Sequence, residues 1–276
     1  MKENALVVFK GRKIRRVWHG DEWWFVLTDI VEALTDSVNP KGYIKDMRRR
    51  DEELSKGWGQ IATPLEIQTT GGKQKMNCTN TEGAFRMIQS IPSPKAEPFK
   101  RWLAKVGYER VQEIDNPELA QERMKRLYEQ KGYSKEWIDK RLRGIAVRQE
   151  LTYEWKNRGV NEGVEFGILT NEISNATFGK TVEEYKQFKG LKKHNLRDHM
   201  DGIELILTML GEATTTRLTD NRDSQKFPEL QKDAKDGGDV AGSTRKNIES
   251  KLGQSVISDD NYLEVPEKVK RLKDKQ

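Results

Sequence analysis

The period of the apolar pattern changes once along this chain, and that change limits the fold more than any single motif. Up to about residue 110, strand-like runs interleave with helical ones; beyond it only helical spacing remains. ALVVF (5–9) and IRRVW (14–18) flank the turn KGRK, and WWFVL (23–27) follows the turn GD, which predicts three short strands in a meander. IATPLEIQTT and KQKMNCT are two further strand-like runs, joined by the hairpin signal Gly71-Gly72. Helical signals separate them. Thr28-Asp29 opens a helix through IVEAL, and Asn39-Pro40 caps a second through Tyr43, Ile44 and Met47 that ends in RRRDEEL. Thr79 and Glu82 are spaced as a capping box ahead of Phe85, Met87 and Ile88. Interleaving of this kind in so short a span predicts a small α+β domain.

That domain closes with SIPSPKAEPFKRWLAKVG (90–107). Ser93 can cap, Pro94 can sit at a first helical position, and Phe99, Trp102, Leu103 and Val106 recur on one face. Pro98 would cost an interior helix one backbone bond, which places the true helix start near it.

Beyond residue 110 the pattern predicts an all-α domain over 111–258. Helices are expected from Asn116-Pro117 to Lys131-Gly132, from Ser134 to Arg158-Gly159, through EFGILTNEIS, and from Thr181, boxed by Glu184. Trp137, Leu142, Ile145 and Leu151 are its expected core positions, and DGIELILTMLGEA suits the centre of a helical core. GGDVAGSTRKNIESKLG reads as a glycine-marked connection into a last helix, and 259–276 as a polar tail. No apolar run reaches the ~20 residues a membrane-spanning helix needs. With no signal-peptide pattern at the start and Cys78 as the single cysteine, a soluble cytoplasmic protein is expected, with Cys78 a small buried residue.

Charge divides unevenly. Residues 1–110 hold 20 Lys and Arg against 14 Asp and Glu, whereas 111–190 hold 14 of each and 191–276 hold 16 of each. All of the +6 net charge therefore lies in the first segment. Such a field fits a polyanion partner, nucleic acid being the commonest, although charge alone does not separate that reading from a domain that is simply basic.

The ordered set WWFVLTDIVEAL, TGGKQKMNCTNTEGAFRMI and SPKAEPFKRWL closely resembles the N-terminal domain of the BRO proteins, found in baculovirus repeated open reading frames and in prophage antirepressors. The resemblance covers roughly residues 5–110 and implies a DNA-binding regulatory module without catalysis. ILTNEISNATFG followed by EEYKQFKGLKKHNLRDHMDGIELILTMLGEAT is similar to the C-terminal half of the DNA-damage-inducible protein D family, over about 165–258. That likeness implies a role in the bacterial DNA-damage response, where the family is implicated in inhibiting the strand-exchange recombinase.

The expected DNA contacts are Arg12, Lys13, Arg15 and Arg16 on the first hairpin, Lys41, Lys45, Arg48 and Arg49 on the second helix, Lys73 and Lys75 on the second hairpin, and Lys100 and Arg101 on the last helix. No base-reading signature is present, so phosphate neutralisation should set most of the affinity. In the helical half, Lys189, Lys192, Lys193 and Arg197 form a locally basic run, read either as a solvated loop or as a contact for phosphate or a partner. The leading expectation is a DNA-binding regulator of prophage-antirepressor type whose helical domain self-associates or binds a partner. The second is an inhibitor that binds a repressor or recombinase, with the basic domain as scaffold or tether.

Catalytic signatures are thin. His194 and His199 are five apart, unlike the paired histidines of a zinc helix, and CxxC, GxSxG and P-loop patterns are missing. Asp198, Asp201 and Glu204 are close enough in sequence for a metal site, but capping of the following helix accounts for the last two equally well. A non-enzymatic protein without cofactor or metal is expected.

Overall fold

The computed structural model describes residues 14–69 and 71–273, the side chain of Lys273 excepted. The expected strand 5–9 and the candidate contacts Arg12 and Lys13 lie outside the described residues. Contacts divide the chain into two compact units, Met1–Leu119 and Ala120–Gln276. A boundary at residue 110 would instead cut the helix Glu97–Asp115.

The first unit is α+β. Strands β1 (Arg16–His19), β2 (Glu22–Val26), β3 (Thr63–Thr69) and β4 (Gly72–Thr79) form an antiparallel sheet in the order β1-β2-β4-β3. β3 is an edge strand, which is why it tolerates Pro64, a residue with no ladder N–H to offer. Thr69 faces Gly72 across the hairpin, and Gly72 takes a positive φ of 96°, a conformation that glycine adopts without a Cβ penalty. Around the sheet run α1 (Leu27–Thr35), α2 (Pro40–Arg50), the short α3 (Glu52–Lys56) and α4 (Trp58–Ile61), then α5 (Thr81–Gln89) and α6 (Glu97–Asp115). Leu27, Ile30 and Val31 of α1 pack with Met47 of α2, Met87 and Ile88 of α5, and Phe99 of α6 to make the core. Cys78 is fully buried, and burial pushes its thiol up to about 11.

Three helix starts differ in detail from the sequence signals. α1 begins at Leu27 with no side-chain cap, because Asp29 is drawn instead into bonds with Arg15. α5 is capped by Asn80, whose side chain accepts from the Gly83 N–H at 3.0 Å. Thr79 cannot serve, since it is still paired with Phe25 as the last residue of β4. Ser93 closes only one turn, accepting the Ala96 N–H at 2.9 Å, and α6 proper starts at Glu97 with Pro98 in its first turn, where a missing N–H costs nothing.

The second unit is helical. α7 (Glu118–Gln130) leads across the boundary into α8 (Lys135–Asn157), α9 (Val164–Phe178), α10 (Val182–Phe188), a 3₁₀ turn (Leu196–His199), α11 (Gly202–Arg222), α12 (Lys226–Leu252) and α13 (Glu267–Lys273). Ser134 caps α8, and the expected box of Thr181 with Glu184 forms at α10. Leu151 and Trp155 pack with Leu169, Ile173 and Leu230 in one cluster, and Trp137 and Ile138 with Tyr185 and Leu205 in another. Leu142 and Ile145, expected in the core, are only half-buried.

Two expectations are overturned here. Residues 237–253 are not a connection: Gly237, Gly238 and Gly242 lie inside α12, where it crosses α9 and α11. A Cβ on Gly238 would stand 2.7 Å from the Ala176 Cβ and 2.8 Å from the Ile173 carbonyl oxygen, so these glycines let helices approach, and the fold gains packing where the sequence shows a breaker. Nor do residues 259–273, within the stretch read as a polar tail, lie apart from the helical unit. The Tyr262 N–H donates to His199 Nδ1 at 3.0 Å, and Glu267, 5 % exposed, accepts the Ser134 N–H at 2.8 Å.

Candidate nucleic-acid interface

Helix α2 is built with two faces. Asn39 accepts the Gly42 N–H at 3.0 Å and Pro40 presets the first turn, which fixes where the helix begins. Ile44 and Met47 then fall on the core side, and Lys41, Lys45 and Arg48, at i, i+4 and i+7, fall together on another. The hairpin strand β4 brings Lys75 and the amides of Gln74 and Asn77 to the same place. Together with Trp58 these side chains line a cleft of about 410 Å³.

The electrostatics of that cleft are one-sided. Among the described residues its wall holds four cations, Lys41, Lys45, Arg48 and Lys75, and no carboxylate. None of the four makes an ion pair among the described residues. Arg48 is the most constrained: its guanidinium carbon lies 4.4 Å from the centre of the Trp58 ring, and its buried Nε has no hydrogen-bond partner among the described residues. A guanidinium packed on an indole loses little further freedom on binding. Arg48 can therefore take an oxyanion, with the lysines supplying charge around it.

Among the described residues, the other expected contacts do not join this cleft. Arg15 is spent internally: its Nε and a terminal nitrogen donate to the Asp29 carboxylate at 2.8 and 2.6 Å, and its backbone N–H donates at 3.0 Å. Asp29 is 8 % exposed, so Arg15 serves as the counter-charge of a buried carboxylate. Arg16 lies over Trp23, 4.1 Å from the ring centre. Arg49 pairs with Asp46 at 3.2 Å, Lys73 approaches Glu66 at 3.8 Å, and Arg101 pairs with Glu97 at 3.1 Å, all exposed. Lys100 is half-buried on α6 and outside the cleft wall. Trp58 is not among the expected contacts; its only signal in the sequence is a tryptophan between two glycines, in a segment with no strand or helix period.

In the helical unit the basic run separates. Lys189 is 1 % exposed and its ammonium is wholly internal, bonded to Glu204 and to the carbonyls of Ser258 and Asp260, so it meets neither phosphate nor partner. Lys192 and Lys193 stay exposed, and Arg197 turns inward to Glu212 at 2.5 Å. The acidic trio is likewise consumed. Asp201 caps α11, accepting from the N–H groups of Ile203 and Glu204, while Asp198 binds Arg141 at 2.8 Å. No group of three or more His, Cys, Asp or Glu side chains placed to hold a metal ion occurs among the described residues, and no helix among them is long and apolar enough to cross a membrane.

No curated protein matches the chain. The stretch that builds the cleft does have a match, which ends before the helical unit begins: residues 13–112 match the BRO family, N-terminal domain.

Proposed function

We propose that this protein is a non-enzymatic DNA-binding regulator of antirepressor type, which holds duplex DNA through phosphates seated in the α2–β4 cleft. The single observation that carries the reading is the convergence of four cations on a wall without a carboxylate, with Arg48 packed on Trp58. The match of residues 13–112 to the BRO family N-terminal domain supports it, because that domain is associated with antirepressor-type regulators. Gln74 and Asn77 sit on the same wall and give the cleft amides that could read a base edge or a bridging water; the cations set affinity, and sequence preference rests on these two. The helical unit, similar over about 165–258 to DNA-damage-inducible protein D, is assigned to self-association or to contact with a repressor or recombinase.

Anisotropy of labelled duplex DNA with the full chain tests this reading. Arg48→Ala should weaken binding roughly tenfold or more, the effect of losing a charge-assisted hydrogen bond of about 1.5–3 kcal/mol. Arg49→Ala, on the exposed and ion-paired side of the same helix, should change it little. Equal effects of the two substitutions would remove the cleft from the mechanism.

A further inference from the structure

Helix α6 has an apolar face that the core of its own unit does not use. Phe99 is buried and Leu103 half-buried on the core side, and Glu113 is buried on that same side of the helix. The opposite side carries Ala104, Gly107, Val111 and Ile114, at the a and d spacing of a heptad, with Tyr108 beside them. All five are exposed, Ile114 at 79 %. Scattered apolar side chains on a surface need no explanation, but three large ones on successive turns of one helix face form a patch. Lys100 and Asp115, four residues before Ala104 and four after Val111, extend that face at its two ends.

Gly107 is the second observation. A glycine inside a helix costs about 1 kcal/mol against alanine. Gly107 has no positive φ to justify it, and a Cβ there would meet nothing within 4 Å. The contrast is with Gly238, where Ala176 and Ile173 of the same chain occupy the space. Close approach by something outside the described residues would give Gly107 the same purpose.

We infer that this face docks on the same face of a second copy, the two α6 helices running antiparallel about a two-fold axis between Gly107 and Tyr108. A two-fold contact joins one patch to itself, so the patch must complement its own reverse. Counting outward from the axis, Gly107 faces Tyr108, Ala104 faces Val111, and Lys100 faces Asp115. Small thus stands opposite large twice, and a cation opposite an anion at each end. Arg101 faces Ile114, with an aliphatic stem long enough to cover it. Parallel pairing would instead set Lys100 against Lys100 and Asp115 against Asp115, which like-charge repulsion disfavours. One helix face per protomer lies at the small end of specific interfaces, so the dimer is a weak one, with a Kd of about 1–100 µM.

Sedimentation equilibrium of the full chain without DNA tests this, so its outcome is independent of the DNA-binding reading. Across chain concentrations of about 1 to 300 µM, the weight-average mass should rise from 32.0 kDa toward twice that value. Val111→Glu, at an exposed position that folding does not use, should hold the chain monomeric throughout, because it places an unpaired charge in the contact. Lys100→Asp sets anions opposite each other at both ends and should weaken association about tenfold or more. The exchange Lys100→Asp/Asp115→Lys should restore it to within about threefold of the original. A chain that stays monomeric at the highest concentration, association that survives Val111→Glu, or an exchange that recovers nothing would each overturn the inference.

Discussion

Replacing Lys189 with methionine should be the most damaging single change in the helical unit. The ammonium is enclosed, and its three protons are all used: Nζ lies 3.1 Å from Glu204 Oε2, 2.7 Å from the Ser258 carbonyl oxygen and 3.1 Å from that of Asp260. Glu204 is 0 % exposed, accepts also from the Tyr185 hydroxyl and the Asp201 N–H, and burial pushes its carboxyl up even with Lys189 beside it. Methionine fills the volume but leaves a buried carboxylate without its counter-charge and two carbonyls without a donor. Breaking a buried pair on one side costs about 3–5 kcal/mol. Hydrogen exchange of α10 and α11 reads that loss locally, without assuming that two units unfold together. The double variant Lys189→Met/Glu204→Gln should recover part of it, because the stranded charge is removed. A cost below about 1 kcal/mol for Lys189→Met would refute the buried pairing.

Other consequences follow from the same unit. Burial, with His194 nearby, lowers the His199 imidazole from 6.5 to about 4, and its Nδ1 accepts the Tyr262 N–H. The unfolded chain therefore binds the proton first: this stabilisation is complete above pH 6.5, falls by roughly 1.4 kcal/mol per pH unit below it, and is gone once pH passes below 4. Thermal melts from pH 8 to 4 should show that decline, flattened in His199→Asn. Gly238→Ala should lower stability by about 1–3 kcal/mol through overpacking. Gly167→Ala in α9, where a Cβ meets nothing within 4 Å, should raise it by about 0.5–1 kcal/mol, both changes being read by urea titration.

How much of this was legible depended on whether the deciding contact was local. The hairpin at Gly71-Gly72, the cap at Asn39-Pro40 and the box at Thr181 are governed by neighbours within four residues, and the pattern located each of them. Lys189 and Lys193 sit in one basic run, yet one is sealed and the other exposed, because a carboxylate 15 residues away captures only the first. Glycine carries the same ambiguity: inside α12 it marks contact with Ala176 and Ile173, a fact written nowhere in α12 itself. For the cleft, the face of α2 could be read from its spacing. That Lys75 arrives beside it from a different element, and that Trp58 backs Arg48, are properties of the fold.

The central claim is that phosphates occupy the α2–β4 cleft, and its most direct test is the salt dependence of duplex DNA binding by the full chain. Four cations line the cleft. If each meets a phosphate, log affinity should fall against log salt with a slope of about −3.6, at ~0.9 per contact. In the variant carrying Lys41→Ala, Lys45→Ala, Arg48→Ala and Lys75→Ala the slope should approach zero. A wild-type slope near zero, or a steep slope that survives all four substitutions, would contradict the account.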